Sequence, residues 1–484
     1  MPSTVDTRPR KSPEPPAPLS PSPSPAPASP RPTRSSASVA LISSLLGFTV
    51  ITIDATAVNI ALPAIRDDLH GGMAGLQWVV DAYTLMFAAL MMSAGALADR
   101  AGARRAYAWG SALFTVASLG CALAPGIGVL VAARLLQGAA AAVVMPASLA
   151  LIRQAYDDPA RRARAIALWT TGGSVALAAG PVLGGLLAEQ VGWRAVFLLN
   201  LPVGAAILML LLRTAPSPRR SAPLDPAGQV TTVLALVGLT YAVIEGGHRG
   251  WTSVPVLVAL AVAVVSAVAF LAVEKRHRSP MVPLGMLRER RVAVSLAAGF
   301  AVNAAFYGLV FLLGLYYQQE RGMTATEAGL MFVPLALLVT GANLVSPRLA
   351  ERVGRRAVIV TGQAVLALAM FVVLPLTDAT PLWLVVLLLV PTGLGGALAV
   401  PALTAQLMDA VPGHRAGTVS GLFNAVRQTG GALAVALFGT LLADGGTGTG
   451  FSLAGMRESL CVAGGVLCLT TVLSLWLLGR KRSA

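Results

Sequence analysis

Four ionisable side chains, Asp54, Asp81, Arg134 and Arg427, stand well inside long apolar runs of this 484-residue chain. A charge at the centre of a lipid bilayer costs roughly 2.5–3.5 kcal/mol on insertion scales, so such residues face a partner or a wet cavity and mark proton or substrate paths. Asp54 lies in Ile-Thr-Ile-Asp54-Ala-Thr56-Ala-Val-Asn59-Ile-Ala-Leu-Pro63. There Thr52, Thr56, Asn59 and Pro63 recur every three or four residues as a polar stripe that Asp54 borders. Loss of water favours the neutral form of a carboxylate and a nearby cation favours the charged form, so an acid poised between the two can load and release protons. The alternative role is a helix-packing acid bonded to backbone or to an Asn. Asp81, in Trp78-Val-Val-Asp81-Ala-Tyr83, lies nearer the end of its run. It reads either as a proton or cation site or as an acid in a wet vestibule.

Arg134 opens Arg-Leu-Leu-Gln137-Gly138, and Arg134, Gln137 and Gly138 share one helix face. Arginine stays charged, so Arg134 cannot itself carry the proton. It can hold an acid in its charged form until substrate or motion displaces it, or it can form a structural ion pair. Arg427 shares a face with Asn424 and Gln428 and reads first as a packing or helix-end residue, second as a substrate contact. Asn59, Gln137, Asn303, Tyr307, Asn424 and Arg427 are the candidates for lining a substrate cavity. A further run holds Gly180-Pro181-Val-Leu-Gly184-Gly185, where proline removes a backbone hydrogen bond and glycines permit close helix contact. No GxxxxGK[ST], HExxH or Gly-x-Ser-x-Gly occurs; His70, His248, His277 and His414 fall in loops, and Cys121, Cys461 and Cys468 form no CxxC or Cys/His cluster. No catalysis, cofactor or metal site is expected.

Composition names the elements that must position these residues. Hydrophobic residues make up 56% and charged residues 12%, with a mean hydropathy of +0.74; an average soluble protein has about 25% charged residues. Lipid must be the solvent for much of this chain, in an all-α membrane protein. A spanning helix needs about 20 mainly apolar residues. Fourteen stretches qualify: 39–62, 76–98, 106–124, 127–152, 165–188, 195–212, 228–246, 254–273, 292–317, 326–347, 357–376, 381–405, 417–442 and 459–478. With the N-terminus inside and strict alternation, inside segments hold 29 of the 36 Lys and Arg, outside loops hold five (Arg66, Arg194, Arg249, Arg321, Arg457), and two are in spans. That asymmetry sets both termini in the cytoplasm. The net charge of +15 is therefore a topology signal and not a nucleic-acid footprint.

Residues 1–37 hold twelve of the 32 prolines and read as a disordered tail. Gly95-Ala-Leu-Ala-Asp99-Arg100-Ala-Gly102-Ala-Arg104-Arg105 is echoed by Leu349-Ala-Glu351-Arg352-Val-Gly354-Arg355-Arg356, eight helices later. Parallel repeats of this kind mark one large transporter class. The offset predicts two six-helix bundles, 38–213 and 292–478, flanking an inserted helix pair and cytoplasmic loop, 214–291, with a short tail at 479–484. The loop around Glu274–Arg291 is expected along the inner membrane surface.

Over residues 39–478 this arrangement resembles the major facilitator superfamily, and within it the fourteen-helix drug:proton antiporter branch. The hairpin Gly95, Asp99, Arg100, Gly102 and Arg104 resembles the superfamily's cytoplasmic gating motif, which implies a charge relay of Asp99, Arg100 and Arg104 that stabilises the outward-facing state. Asp54 to Pro63 resembles the branch's first-helix string, and Arg134, Gln137 and Gly138 its proton-transfer motif on helix four. Gly180, Pro181, Gly184 and Gly185 resemble the antiporter motif, with Ala167 and Ala176 where further glycines are usual. Trp193 to Gly204 is close to another string of the branch, and Asp81 matches an acid found in part of it. The C-terminal bundle lacks the embedded carboxylate that some multidrug members carry. The resemblance implies a multi-pass protein of a bacterial inner membrane, with membrane lipids, protons and a small amphipathic substrate as partners. It would expel drugs or antibiotics by alternating access, driven by the proton gradient. Nutrient uptake by the same fold and a non-transporting receptor are the other readings.

Overall fold

A computed structural model describes residues 34–219, 225–277, 280, 282, 284–411, 416–443 and 452–478. Most of the N-terminal tail, the C-terminal tail and His414 lie outside the described residues. The described chain is helical and contains no strand. That is what lipid demands, since a helix satisfies its own backbone hydrogen bonds where water is absent.

The helices are α1 (Arg34–Leu69), α2 (Met73–Ala101), α3 (Ala103–Ala122), α4 (Ile127–Ala155), α5 (Pro159–Gln190), α6 (Arg194–Leu212), α7 (Pro226–Arg249), α8 (Val254–Arg276), α9 (Arg290–Leu315), α10 (Ala325–Val353), α11 (Arg355–Val372), α12 (Leu382–Asp409), α13 (Ala416–Ala443) and α14 (Leu453–Leu477). Thirteen are long and apolar enough to cross a membrane; α3 is the exception, because Arg104, Arg105, Ser111, Thr115 and Ser118 dilute its apolar content. It still spans 20 residues and packs against α4 and α6.

The sequence-based bounds need several corrections. Helix α1 begins at Arg34, so residues 34–37 are helix and not tail. Three spans are interrupted, α6 at Leu199, α10 at Met331 and Phe332, and α12 at Leu389. Helix α9 ends in one π turn, Tyr316–Glu320. The segment after α8 does not simply lie along a surface. Val282 and Met286 are buried in the main apolar core, and the Val282 amide donates to Glu274 Oε2 at 3.1 Å.

Helices α1 to α6 pack among themselves, as do α9 to α14, while α7 and α8 pair with each other and α7 also touches α2 and α13. Helix α8 presents Val258, Val262, Val265 and Val268 outward, a face suited to lipid. The repeated hairpin is visible in the backbone. Gly102 joins α2 to α3 at φ 83° and Gly354 joins α10 to α11 at φ 88°, a left-handed turn that side chains with a Cβ resist.

The two halves meet mainly at the end opposite these hairpins. There Gln77 on α2 donates to the Ala436 carbonyl of α13 at 2.7 Å, and Gln318 to the Ile60 carbonyl of α1 at 3.0 Å. The Thr326 amide of α10 donates to Glu189 on α5 at 3.1 Å. One large core joins Leu62, Ile65 and Leu76 of the first half to Leu313, Tyr317 and Phe332 of the second. Towards the hairpin end the first half has a core of its own around Phe87, Ala94, Ala98, Tyr107 and Leu151.

Candidate functional site

Asp54 is fully enclosed in the N-terminal half. Its Oδ2 accepts from Arg134 Nη1 of α4 at 2.5 Å, and both side chains are at most 1% exposed. Its Oδ1 accepts from Asn200 Nδ2 of α6 at 2.8 Å and from Gln137 Nε2 at 3.2 Å. Arg134 Nε donates to the Val79 carbonyl of α2 at 2.9 Å, Nη1 reaches Gln137 Oε1 at 2.9 Å, and the guanidinium lies 4.3 Å from the centre of the Tyr83 ring. Ser118 of α3 accepts from Gln137 at 2.7 Å and from Asn200 at 3.1 Å, and Cys121 Sγ donates to Gln137 Oε1 at 3.2 Å. One carboxylate thus ties together α1, α3, α4 and α6, with α2 held through Arg134.

Close helix approach makes this possible. A Cβ at Gly138 would overlap the Tyr83 carbonyl, so glycine there lets α4 come near enough to α2 for Arg134 to reach Val79. A buried ion pair is stable only when its remaining donors and acceptors are satisfied, and removing one partner costs roughly 3–5 kcal/mol. Here both carboxylate oxygens are satisfied. The cluster is therefore a charge pair that a single proton on Asp54 would unbalance.

Asp81 is different. Its side chain is 0% exposed, and neither carboxylate oxygen has a hydrogen-bond partner among the described residues. A wet vestibule does not describe this position, since both carboxylate oxygens are enclosed. The polar stripe of α1 also turns inward upon itself: Thr52, Thr56 and Asn59 donate to the carbonyls of Phe48, Thr52 and Ala55 one turn earlier.

The expected cavity residues separate into two groups. Gln137 is 0% exposed and belongs to the Asp54 cluster, so it lines no cavity in this conformation. Asn59 is 6% exposed and bonded to its own helix. In the second half, Asn303 of α9 and Arg427 of α13 bond each other, with Arg427 Nη2 donating to Asn303 Oδ1 at 3.0 Å and Asn303 Nδ2 to the Arg427 carbonyl at 2.8 Å. Tyr307 is one turn further along α9, and Asn424 bonds back to Ser420.

Gly180 and Gly184 of α5 sit against Thr56 and Ala57 of α1, while Pro181 and Gly185 sit against Gly329 and Ala325 of α10. The motif lies at the seam between halves, and Pro181 is carried inside a continuous helix. At the hairpin, Asp99 and Arg100 are exposed, and no ion pair joins Asp99 to Arg100 or Arg104. The Arg104 amide instead donates to Ser217 Oγ of the segment after α6 at 3.0 Å.

Three members of the Asp54 cluster escaped sequence reasoning. Ser118 and Cys121 belong to a stripe with Ser111 and Thr115 at spacings of three and four, which was the available signal. Asn200 stood in view within the Trp193–Gly204 string, but nothing local tied it to Asp54.

Comparison with known proteins agrees with this architecture. The family model "Major Facilitator Superfamily" matches residues 44–435. The chain is 36% identical to the methylenomycin A resistance protein of Streptomyces coelicolor over 84% of this chain and 86% of that one. It is 39% identical to the multidrug resistance protein Stp of Mycobacterium tuberculosis, covering 84% and 76%, and 35% identical to the cephamycin export protein CmcT of Amycolatopsis lactamdurans, covering 87% and 88%. A crystal structure of a peptide transporter, POT, in complex with alafosfalin shares the fold with a TM-score of 0.67 at 16% identity, over 90% of this chain and 93% of that one. Multi-pass helical packing, the doubled hairpin and these matches agree: the chain belongs to the major facilitator superfamily.

Proposed function

We propose that this protein exports amphipathic drugs or antibiotics across a bacterial inner membrane in exchange for inward-moving protons, with Asp54 as proton carrier and Arg134 as its switchable counter-charge. The observation that carries the reading is the enclosed Asp54–Arg134 pair at 2.5 Å, satisfied on every side and built around a group that one proton neutralises. Relatives named for drug resistance and antibiotic export supply the direction of transport.

In this reading the hairpin end and both termini are cytoplasmic. The far-end seam is then the closed outer gate, and the conformation faces inward. The unmade Asp99–Arg100–Arg104 relay fits that state, because the relay belongs to the outward-facing one. A proton reaching Asp54 from outside removes its charge. Arg134 then keeps only the Val79 carbonyl and Gln137 as acceptors, which weakens the tie among α1, α2 and α4. Releasing the proton inside restores the pair. Asp81, buried and unpartnered, supports a second proton-holding position on α2. The pump needs no cofactor and performs no catalysis; protons, lipids and a small amphipathic molecule are its partners.

The test is reconstitution in liposomes with a trapped pH dye, adding amphipathic drugs across an imposed pH gradient. Drug-dependent proton flux is expected, and Asp54→Asn should abolish it while inserting normally. Undiminished proton-coupled drug movement in that variant would sink the carrier role.

A further inference from the structure

We infer that Arg427 is an anion-recognising residue of the substrate path, so that the exported molecules include amphiphiles carrying a carboxylate. The inference rests on the export reading and sharpens it.

Arg427 lies in the body of α13, away from either helix end. Its stem runs against α9, where a Cβ at Gly299 would meet Arg427 Cγ, and its guanidinium carbon lies 5.7 Å from the Phe423 ring centre. Of its five N–H groups, the side chain of Asn303 takes one, at 3.0 Å. Nε is enclosed and without any partner. No ion pair reaches it among the described residues. Asp54 is committed to Arg134, and the described acids of the second half (Glu289, Glu320, Glu327, Glu351, Asp378, Asp409, Glu458) stand at or near helix ends or in loops, with Asp409 paired to Arg355.

Arg427 also lies near the contact between halves. A Cβ at Gly431, one turn beyond it on α13, would meet Tyr307 and Asn303 of α9, and α13 packs against α2 of the first half. Tyr83 of α2 is the ring on which Arg134 lies. Each half therefore holds a guanidinium on or against an element of the α2–α13 contact, but only Arg134 has an acid to match it.

A half-buried cation with spare donors and no counter-charge calls for an acceptor from elsewhere. The planar fork of arginine matches a carboxylate in two parallel bonds. A substrate carboxylate arriving between the halves would supply what the protein withholds, and Asn303 holds the guanidinium in place to receive it.

The probe is a fluorescent amphipathic monocarboxylic acid and its methyl ester, moved by the full-length protein in liposomes. Wild type is expected to move both. Arg427→Gln should lose about tenfold or more on the acid, the factor a charge-assisted hydrogen bond contributes, and stay within about twofold on the ester. Arg427→Lys, which keeps a point charge and guards against misfolding of the Gln variant, should fall between. Equal losses on acid and ester in both variants would make Arg427 a structural residue and overturn the inference. Wild type moving the ester but not the acid would overturn the anion site and leave export standing. Movement of neither compound would overturn the anion site, and drug-dependent proton flux in the same liposomes would leave export standing.

Discussion

Arg134 holds Asp54 with one hand and the α2 backbone with the other: Nη1 reaches Asp54 Oδ2 at 2.5 Å while Nε donates to the Val79 carbonyl at 2.9 Å. The Asp54 cluster is thereby wired to the helix that forms the seam. Two residues before Val79, Gln77 donates to Ala436 of the opposite half. A change of charge on Asp54 thus has a short mechanical route to the interface between halves.

Arg134→Gln should leave a carboxylate buried without its cation, destabilising the fold by roughly 3–5 kcal/mol. The double variant Asp54→Asn with Arg134→Gln should recover much of that loss, because both charges are gone. Proton-coupled transport should be absent in both, and in Asp54→Asn alone. Thermal unfolding in detergent together with vesicle efflux closes the cycle. Strictly additive destabilisation would mean that the two residues do not act as a pair.

Asn200→Ala removes the shorter of the two amide donors to Asp54 Oδ1 and leaves Ser118 short of one donor. An unsatisfied buried acceptor costs roughly 1–3 kcal/mol. Expected results are a lowered unfolding temperature and slowed proton-coupled efflux, with the mild variant Asn200→Ser retaining part of each. Wild-type behaviour in Asn200→Ala would show that Gln137 alone suffices.

The pair at the heart of the site was legible in sequence because charges inside apolar runs are rare and expensive, so Asp54 and Arg134 announced themselves. The doubled hairpin was legible through Gly102 and Gly354, whose positive φ only a residue without Cβ takes at low cost. Ser118, Cys121 and Asn200 were not, because small polar residues are cheap in helices and packing decides which of them meet. Gln137 was placed in the cavity for the same reason: its polarity was evident, but its enclosure by α1, α3 and α6 depends on residues distant in sequence. The interruptions at Leu199 and Leu389 had a local signal in Pro202 and Pro391, which lack the N–H that would bond the carbonyls of Leu198 and Leu387, but apolar content alone reads each span as one helix.

Gly329→Ala tests the seam opposite the hairpins. A Cβ there would overlap the Pro181 carbonyl, and a Cβ at Gly185 would overlap Ala325. Backbone cannot yield as a side-chain tip can, so α5 and α10 must separate at that end. Spin labels at positions 189 and 326, adjacent here through the Glu189 to Thr326 hydrogen bond, should report longer distances in the variant. Transport should fall by about tenfold if the shift costs about 1.4 kcal/mol. An unchanged distance distribution would remove this contact from the gate.

The charge carried by the substrate sets how steeply membrane potential drives export. One proton moving inward gains about 2.3 kcal/mol per 100 mV, which supports about a fiftyfold gradient of a neutral molecule. Exchange of one proton for a departing monoanion moves two positive charges inward, about 4.6 kcal/mol per 100 mV, and supports a gradient above about a thousandfold. A monocation leaves only the pH difference as driving force. With a potassium diffusion potential imposed on liposomes, the logarithm of the accumulation ratio should rise twice as steeply for a carboxylate amphiphile as for its methyl ester. Arg427, lacking an acid of its own, is the residue that would make the anion the transported form. Equal slopes would mean that the acid crosses as its neutral species, with its proton carried on the substrate and not on the protein.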